Sequence, residues 1–494
     1  MVKKILFLFF MFIFSMGILA QEVNFGKVVK GGKKMYSKVV GQNADGFFVI
    51  NSNNPVFDDG NQIQLSGSKF EVCFYDFELS QKWLTAIELP FVDPIFENIF
   101  CYSNKVQVFF STAGTSSNKN QLYQFVLNAS DGNAIQEPVI VTDLEYDKKK
   151  LKGEFLVARS LNSEKLLAYS VKTNSETQLV EMNFKLMDNE LKEINTLEFK
   201  SKYASKDFFL KQVQVDNNGN CYTLAFTRSD SRKIAEQQVF VLIPDFEKKI
   251  VREIPLSLGT SGISDMTMMV DNLKGRLVVS GLYSESNSLS SASGTFVFYI
   301  NSSSAVIDHM NFQSFKGKFL NEFSSGGINR SNELLNYKVK NLILRSDGGA
   351  ILIAESSLIT ESSNYNSYYQ IYTTSYTYNY ENVFIFSLSE DGGVDFEGIL
   401  RKNQTSENDD GLYSSFTYLI DSEAIHFVYN KAIRKRSSVI NFSINNKGDV
   451  VEKTLFKDGE DVFILPKGSK QVSQNELVIP CFQKGRNNLL KLAF

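Results

Sequence analysis

Short apolar strand pairs return about every 50 to 76 residues along this chain of 494, and a rhythm that long leaves few folds open. The segment Gly46-Phe47-Phe48-Val49-Ile50 follows the turn Asn43-Ala44-Asp45 and is rich in strand-favouring residues. Its counterparts centre on Val108, Leu167, Leu224, Val278, Leu352, Phe427 and Ile479. Each is preceded by a weaker apolar strand and a polar or Gly-containing turn, such as Asp216-Asn217-Asn218-Gly219 or Ser346-Asp347-Gly348-Gly349. Each of the first seven is followed by a hairpin, as at 122–141, 383–400 and 439–455. Turns such as Ser130-Asp131-Gly132-Asn133 and Asn445-Asn446-Lys447-Gly448 close these hairpins.

Two hairpins per repeat make a four-stranded unit, so the chain reads as all-β. The expected fold is a β-propeller of four-stranded blades, one domain over residues 21–494. The eighth unit, near 462–494, supplies only three strands. A spare strand, Val23-Asn24-Phe25-Gly26-Lys27-Val28-Val29, stands before the first blade, and pairing it with the last would bury two open edges. The expectation is eight blades closed by this N-terminal strand, with seven as the alternative. Pro480 inside an inner strand fits that scheme poorly.

Residues 1–20 place Lys3 and Lys4 ahead of an apolar run from Ile5 to Ala20, the pattern of a secretory signal peptide cut after Ala20. The run is too short to span a bilayer, and Gln21 stands where a lipid-anchored protein would carry Cys. The protein is therefore expected to be exported, either to the periplasm or to the outside of the cell or its outer membrane, and not inserted in a membrane after cleavage. With 52 basic and 55 acidic side chains, the net charge of −3 offers no broad footprint for nucleic acid. Cys73, Cys101, Cys221 and Cys481 sit in apolar strand-like segments and read as buried small hydrophobes, although an even count in an exported protein permits disulfides.

The links between strands are unequal. Those within hairpins are tight, whereas the long ones (51–69, 114–120, 285–294, 315–334, 356–380 and 402–411) all fall on one face of the disc, which is where binding is expected. Segment 356–380 holds Tyr365, Tyr368, Tyr369, Tyr372, Tyr376, Tyr378 and Tyr380 among Ser, Thr and Asn. That is the composition of binding loops, and it equally suits a long hairpin that extends its blade. These seven tyrosines are the candidate partner-binding residues. Loop 402–411 carries Glu407, Asp409 and Asp410; Asp409 and Asp410 are weak candidates for Ca2+, since the spacing of an established calcium loop is missing.

The stretch from Gly348 to Glu355, then Asn382-Val383-Phe384-Ile385-Phe386, Asp391-Gly392, Lys402-Asn403-Gln404 and Asn408 to Phe416, resembles a pattern in uncharacterised secreted β-propeller proteins of Gram-negative bacteria. It covers about 70 residues and departs from the pattern at Phe396, where that group usually has Trp after the Asp-Gly turn. The resemblance implies a propeller, an envelope location and a scaffold or binding role. It carries over no catalytic residue.

Familiar catalytic motifs are absent. The two histidines, His309 and His426, lie in expected strands without the companions a zinc site needs, and no nucleophile elbow or phosphate loop occurs. Glu355, at a strand end beside the Tyr-rich segment, is the first candidate for a glycosidase carboxylate; the single Trp83 argues against sugar platforms. The leading expectation is a non-enzymatic protein-binding or scaffold subunit of the bacterial envelope, such as an accessory subunit of an outer-membrane secretion or transport complex, with no cofactor and no metal. The alternatives are a glycan- or peptidoglycan-acting enzyme with face carboxylates, or a binder of Ca2+ or a small ligand.

Overall fold

The computed structural model describes residues 22–27, 35–54, 56–59, 62–65, 69–89, 94–113, 118–228, 237–286, 288–323, 332–366, 371–433, 438–457 and 459–494. The expected signal peptide, Val28, Val29, Tyr368 and Tyr369 lie outside them. The protein is an all-β propeller whose sheets of four antiparallel strands follow one another along the chain. They span residues 36–88, 95–145, 154–204, 208–256, 262–314, 337–400 and 417–456, and one more sheet joins strands from 462–493 to Glu22–Phe25. In that last sheet Val23 pairs with Leu492 and Phe25 with Leu490.

Burial explains the sequence rhythm. Strands in the middle of a sheet are covered on both faces by neighbouring sheets and so read as continuous apolar runs; all seven residues of Gly46–Ser52 are buried. Outer strands alternate or face solvent, as in Gln81–Glu88 and Val450–Phe456. The core lies between sheets: Phe48, Phe74 and Trp83 of the first pack with Phe96, Val108 and Phe110 of the second. First strands touch from one sheet to the next, and the last sheet reaches back to Tyr36–Gln42. Amide side chains reinforce these seams. Gln214 Nε2 donates to Met268 O at 2.8 Å and its Oε1 accepts from Val270 N at 2.9 Å, so one side chain imitates a strand pairing between two sheets.

Asx turns close many of the hairpins. Asp216 Oδ1 accepts from the backbone N–H groups of Asn218 and Asn220, and Asn445 Oδ1 does the same for Lys447 and Asp449. Pro480 is tolerated because the strand beside it is interrupted: Val462–Ile464 and Lys470–Gln471 are separated by a single 3-10 turn at Pro466–Gly468. Pro480 still serves as an acceptor there, from Leu465 N at 2.8 Å. All four cysteines are free and buried.

Trp83 is a seam residue. Its ring packs under Gly132 of the next sheet and its Nε1 donates to Ala129 O at 3.0 Å. Gly132 has φ 74°, and a Cβ there would lie 2.5 Å from the Trp83 ring. Gly132→Ala is therefore expected to cost more than the ~1–2 kcal/mol of placing an L-residue in left-handed backbone. Gly275→Ala, at φ 63° with nothing within 4 Å, should cost only that conformational part. Urea unfolding of the two variants checks this; equal losses would remove Trp83 from the explanation.

Candidate active site

The Tyr-rich segment is a hairpin, built by extending Ala350–Asn366 and Ile371–Leu388 beyond the rest of their sheet. Tyr365, Tyr372 and Tyr376 are exposed on it, with the rings of Tyr365 and Tyr372 4.8 Å apart. Tyr378 and Tyr380 turn inward at its base and are buried. The strand Gln404–Glu407 pairs with that base, so loop 402–411 folds onto the hairpin instead of standing free. Asp409 Oδ1 accepts from Ser406 Oγ at 2.7 Å and Gly411 N at 2.9 Å, while Asp410 accepts from Tyr36 at 2.9 Å and Tyr378 at 3.4 Å. Among the described residues no group of three or more His, Cys, Asp or Glu is placed to hold a metal ion. His426 meets Asp421 at 2.9 Å, and the exposed His309 contacts the carbonyl of Asp391.

Glu355 is not available to a substrate. Its side chain is fully buried, with Lys402 Nζ at 2.7 Å, Lys340 Nζ at 3.2 Å and Ser415 Oγ donating at 2.7 Å. Burial alone would raise its pKa, but the charges of Lys402 and Lys340 outweigh burial and hold the carboxyl below its ordinary value. A carboxylate locked in this way neither donates a proton near neutrality nor reaches a sugar. The expectation that placed Glu355 first among catalytic candidates is corrected on that ground.

A different carboxylate is better placed, because of a device repeated around the structure. The first strand of several sheets carries a β-bulge, and the extra residue is Val40, Glu97, Lys211, Ser264 or Lys340; Glu97, Lys211 and Lys340 each stand four residues before the end of their strand. The residue after the bulge often locks it: Asn98, Asp265 and Asn341 each accept with a side-chain oxygen from the next backbone N–H, at 2.9, 3.0 and 3.0 Å. Asn98 also donates to Val157 O at 3.0 Å, fixing its strand against the next sheet.

Glu97 and Lys211 line one cavity of about 920 Å3, shared with Phe96, Ser111, Lys152 and Glu154. This is near the upper size of ligand pockets. An adjoining cavity of about 540 Å3 shares Leu151, Lys172 and Thr173 with it, so the space continues outward over the third sheet. Asn120 holds the link beneath, donating to Gly153 O at 3.2 Å. Ser111 Oγ donates to Glu97 Oε1 at 2.5 Å. Burial pushes the Glu97 carboxyl up to about 7; the Ser111 hydrogen bond opposes this, Glu154 adds to it and Lys152 opposes it. A carboxyl half-protonated at neutral pH, beside a cavity and with an exposed second carboxylate at Glu154, is equipped for general acid and base chemistry.

Sequence reasoning passed over Glu97, which sits in Ile95-Phe96-Glu97-Asn98-Ile99-Phe100 and reads as a weak strand. The signal was a polar pair interrupting an apolar first strand: Glu97-Asn98, Lys211-Gln212, Ser264-Asp265 and Lys340-Asn341.

No family model and no curated protein matches the chain. Solved structures do. A mutant of Synechocystis apocarotenoid oxygenase aligns with 9% identity over 68% of this chain and 68% of its own, at a TM-score of 0.34. An endo-arabinase from Bacteroides thetaiotaomicron aligns with 10% identity over 60% of this chain and 98% of its own, at 0.26. A Bombyx mori GH32 β-fructofuranosidase aligns with 9% identity over 96% and 93%, at 0.29. All three are named as enzymes, and on that finding the expectation of a non-enzymatic protein-binding or scaffold subunit is withdrawn. At such identities and TM-scores the likeness assigns this chain no substrate and no residue. The burial of Tyr378 and Tyr380 also takes two of the expected anchors off the surface.

Proposed function

We propose that this protein is an enzyme that hydrolyses glycans, with Glu97 as proton donor and Glu154 as the second carboxylate. The observation that carries this reading is the position of Glu97, delivered by a β-bulge into the wall of the 920 Å3 cavity and bonded to Ser111. In the reaction, Glu97 gives its proton to the leaving glycosidic oxygen as the bond to the anomeric carbon breaks. The hydroxyl of water ends on that carbon, and the water's proton restores Glu97 or passes to Glu154. The outward continuation of the cavity suits a chain of several sugars.

The test is reducing-sugar release from a panel of soluble polysaccharides and peptidoglycan, by the wild-type chain and by Glu97→Gln. Release by the wild type that falls by two orders of magnitude or more in the variant supports the reading, in line with the ~10²–10⁴-fold usual for a general acid. No release from any substrate, or release indifferent to Glu97, sinks it.

The fold enters this proposal as a ring of eight blades in a single domain, closed by Glu22–Phe25 lying against Arg486–Ala493. Removing residues 22–27 would leave Arg486–Ala493 an open edge. The truncated chain is expected to unfold at lower urea and to self-associate, as light scattering would register; unchanged stability would count against closure by this strand. The protein is taken to act outside the cytoplasm, on the strength of the leader-like residues 1–20.

A further inference from the structure

We propose that Lys467 and Lys340, gathered with Lys402 around the ring of Tyr380, form a binding site for a small oxyanion, a carboxylate or a phosphate. The three ammonium groups lie 4.7, 5.5 and 5.8 Å from the centre of that ring. One carboxylate serves two of them, since Glu355 pairs with both Lys402 and Lys340. The third has none: among the described residues Lys467 Nζ forms no salt bridge, and its hydrogen bond goes to Tyr380 Oη at 3.0 Å.

The other acids whose charge reaches Lys467, Asp409 and Asp410, take their hydrogen bonds elsewhere. Asp409 accepts from Ser406 and Gly411, and Asp410 from Tyr36 and Tyr378. A fourth lysine, Lys38, donates to the backbone carbonyl of Lys467 at 2.9 Å and so fixes the turn that carries it. Cations withdrawn from water require compensation, by an anion or by loss of a proton. Burial, and then the charge of Lys340, lower the Lys467 pKa to about 8 against the opposing charges of Glu355, Asp409 and Asp410, which is the second route begun and not completed. Lys402 is sealed in, whereas Lys340 and Lys467 retain partial exposure, so an anion arriving from solvent meets these two first. Gly411 stands beside Lys467 Nζ and the Tyr380 hydroxyl, and a Cβ there would come within 3.3 and 3.2 Å of them, so a side chain would crowd the approach.

The experiment measures thermal unfolding and isothermal titration on the full mature chain with inorganic phosphate, with galacturonate, and with chloride at matched ionic strength. Saturable binding of phosphate or galacturonate, with a rise in the melting midpoint that chloride does not reproduce, is expected. Phosphate alone or galacturonate alone would identify which oxyanion the site takes. Lys467→Met, which removes the cation that has no salt bridge among the described residues and keeps the length of the side chain, should fold and lose at least tenfold in affinity. Lys248→Met, on the exposed surface, should bind as the wild type does. Absence of saturable binding to either anion, or binding unchanged by Lys467→Met, overturns the proposal. Because the readout is binding and not glycan cleavage, its failure is separate from any failure of the Glu97 assignment.

Discussion

Glu97→Gln is expected to make the protein more stable above pH 7, by about 2–3 kcal/mol, and to leave it unchanged near pH 4. In the folded chain this carboxyl keeps its proton up to about pH 7, against an ordinary value of 4.5. The folded state therefore binds more protons than the unfolded state between those limits. Stability falls as pH rises through that window, and the full cost is carried once Glu97 ionises in its half-buried place. Each pH unit of the window is worth about 1.4 kcal/mol before allowance for partial exposure. Gln fills the same volume, still accepts from Ser111 and never ionises, so the wild-type decline between pH 4.5 and 7 should flatten. Urea unfolding at several pH values reads this directly; a decline of the same size in the variant would mean that another group causes it. Stability gained together with hydrolysis lost is the signature of a residue kept for chemistry.

Glu355→Gln should act in the opposite direction and more strongly, losing about 3–5 kcal/mol, because it strands Lys402 as a buried cation without its 2.7 Å partner. Double replacement Glu355→Leu with Lys402→Met should recover most of that loss, since it removes the need for compensation on both sides. A double variant as unstable as the single one would show that shape, not charge, fixes the site. The pH sign also reverses. The Glu355 carboxyl is held below its ordinary value, so its contribution is whole above about 4.5 and is lost as pH falls below that value. Acid should therefore loosen the base of the long hairpin.

The contrast between these two glutamates shows what could be read from the residues alone. Phe47 to Ile50 announces a strand covered on both faces, and the same pattern recurring down the chain points to stacked sheets. The pairing of Val23 and Phe25 with the last strand was legible because a spare strand and an incomplete unit sit at opposite ends of the sequence. The Tyr-rich segment was legible as an outgrowth but not in its allegiance: alternation cannot tell that Tyr378 bonds to Asp410 and that Tyr380 faces lysines from three distant segments. Glu355 drew notice as an acid at a strand end, and only the convergence of Lys340 and Lys402 shows why it is spent. Glu97 was hidden because a bulge is one residue of extra length against a partner strand, and pairing register is not written in either strand alone.

The bulges also separate two things that a strand normally binds together. Along a regular ladder, exchanging one side chain for another disturbs neighbours on both faces. At Val40, Glu97, Lys211, Ser264 and Lys340 the extra residue stands outside the pairing count, and the ladder closes on either side of it whatever that residue is. The fold thus offers a set of such sockets, already occupied by an acid, two bases, a hydroxyl and a hydrocarbon. A new side chain could be installed at one socket while every sheet kept its register, so the chemistry that such a chain displays can change faster than its architecture.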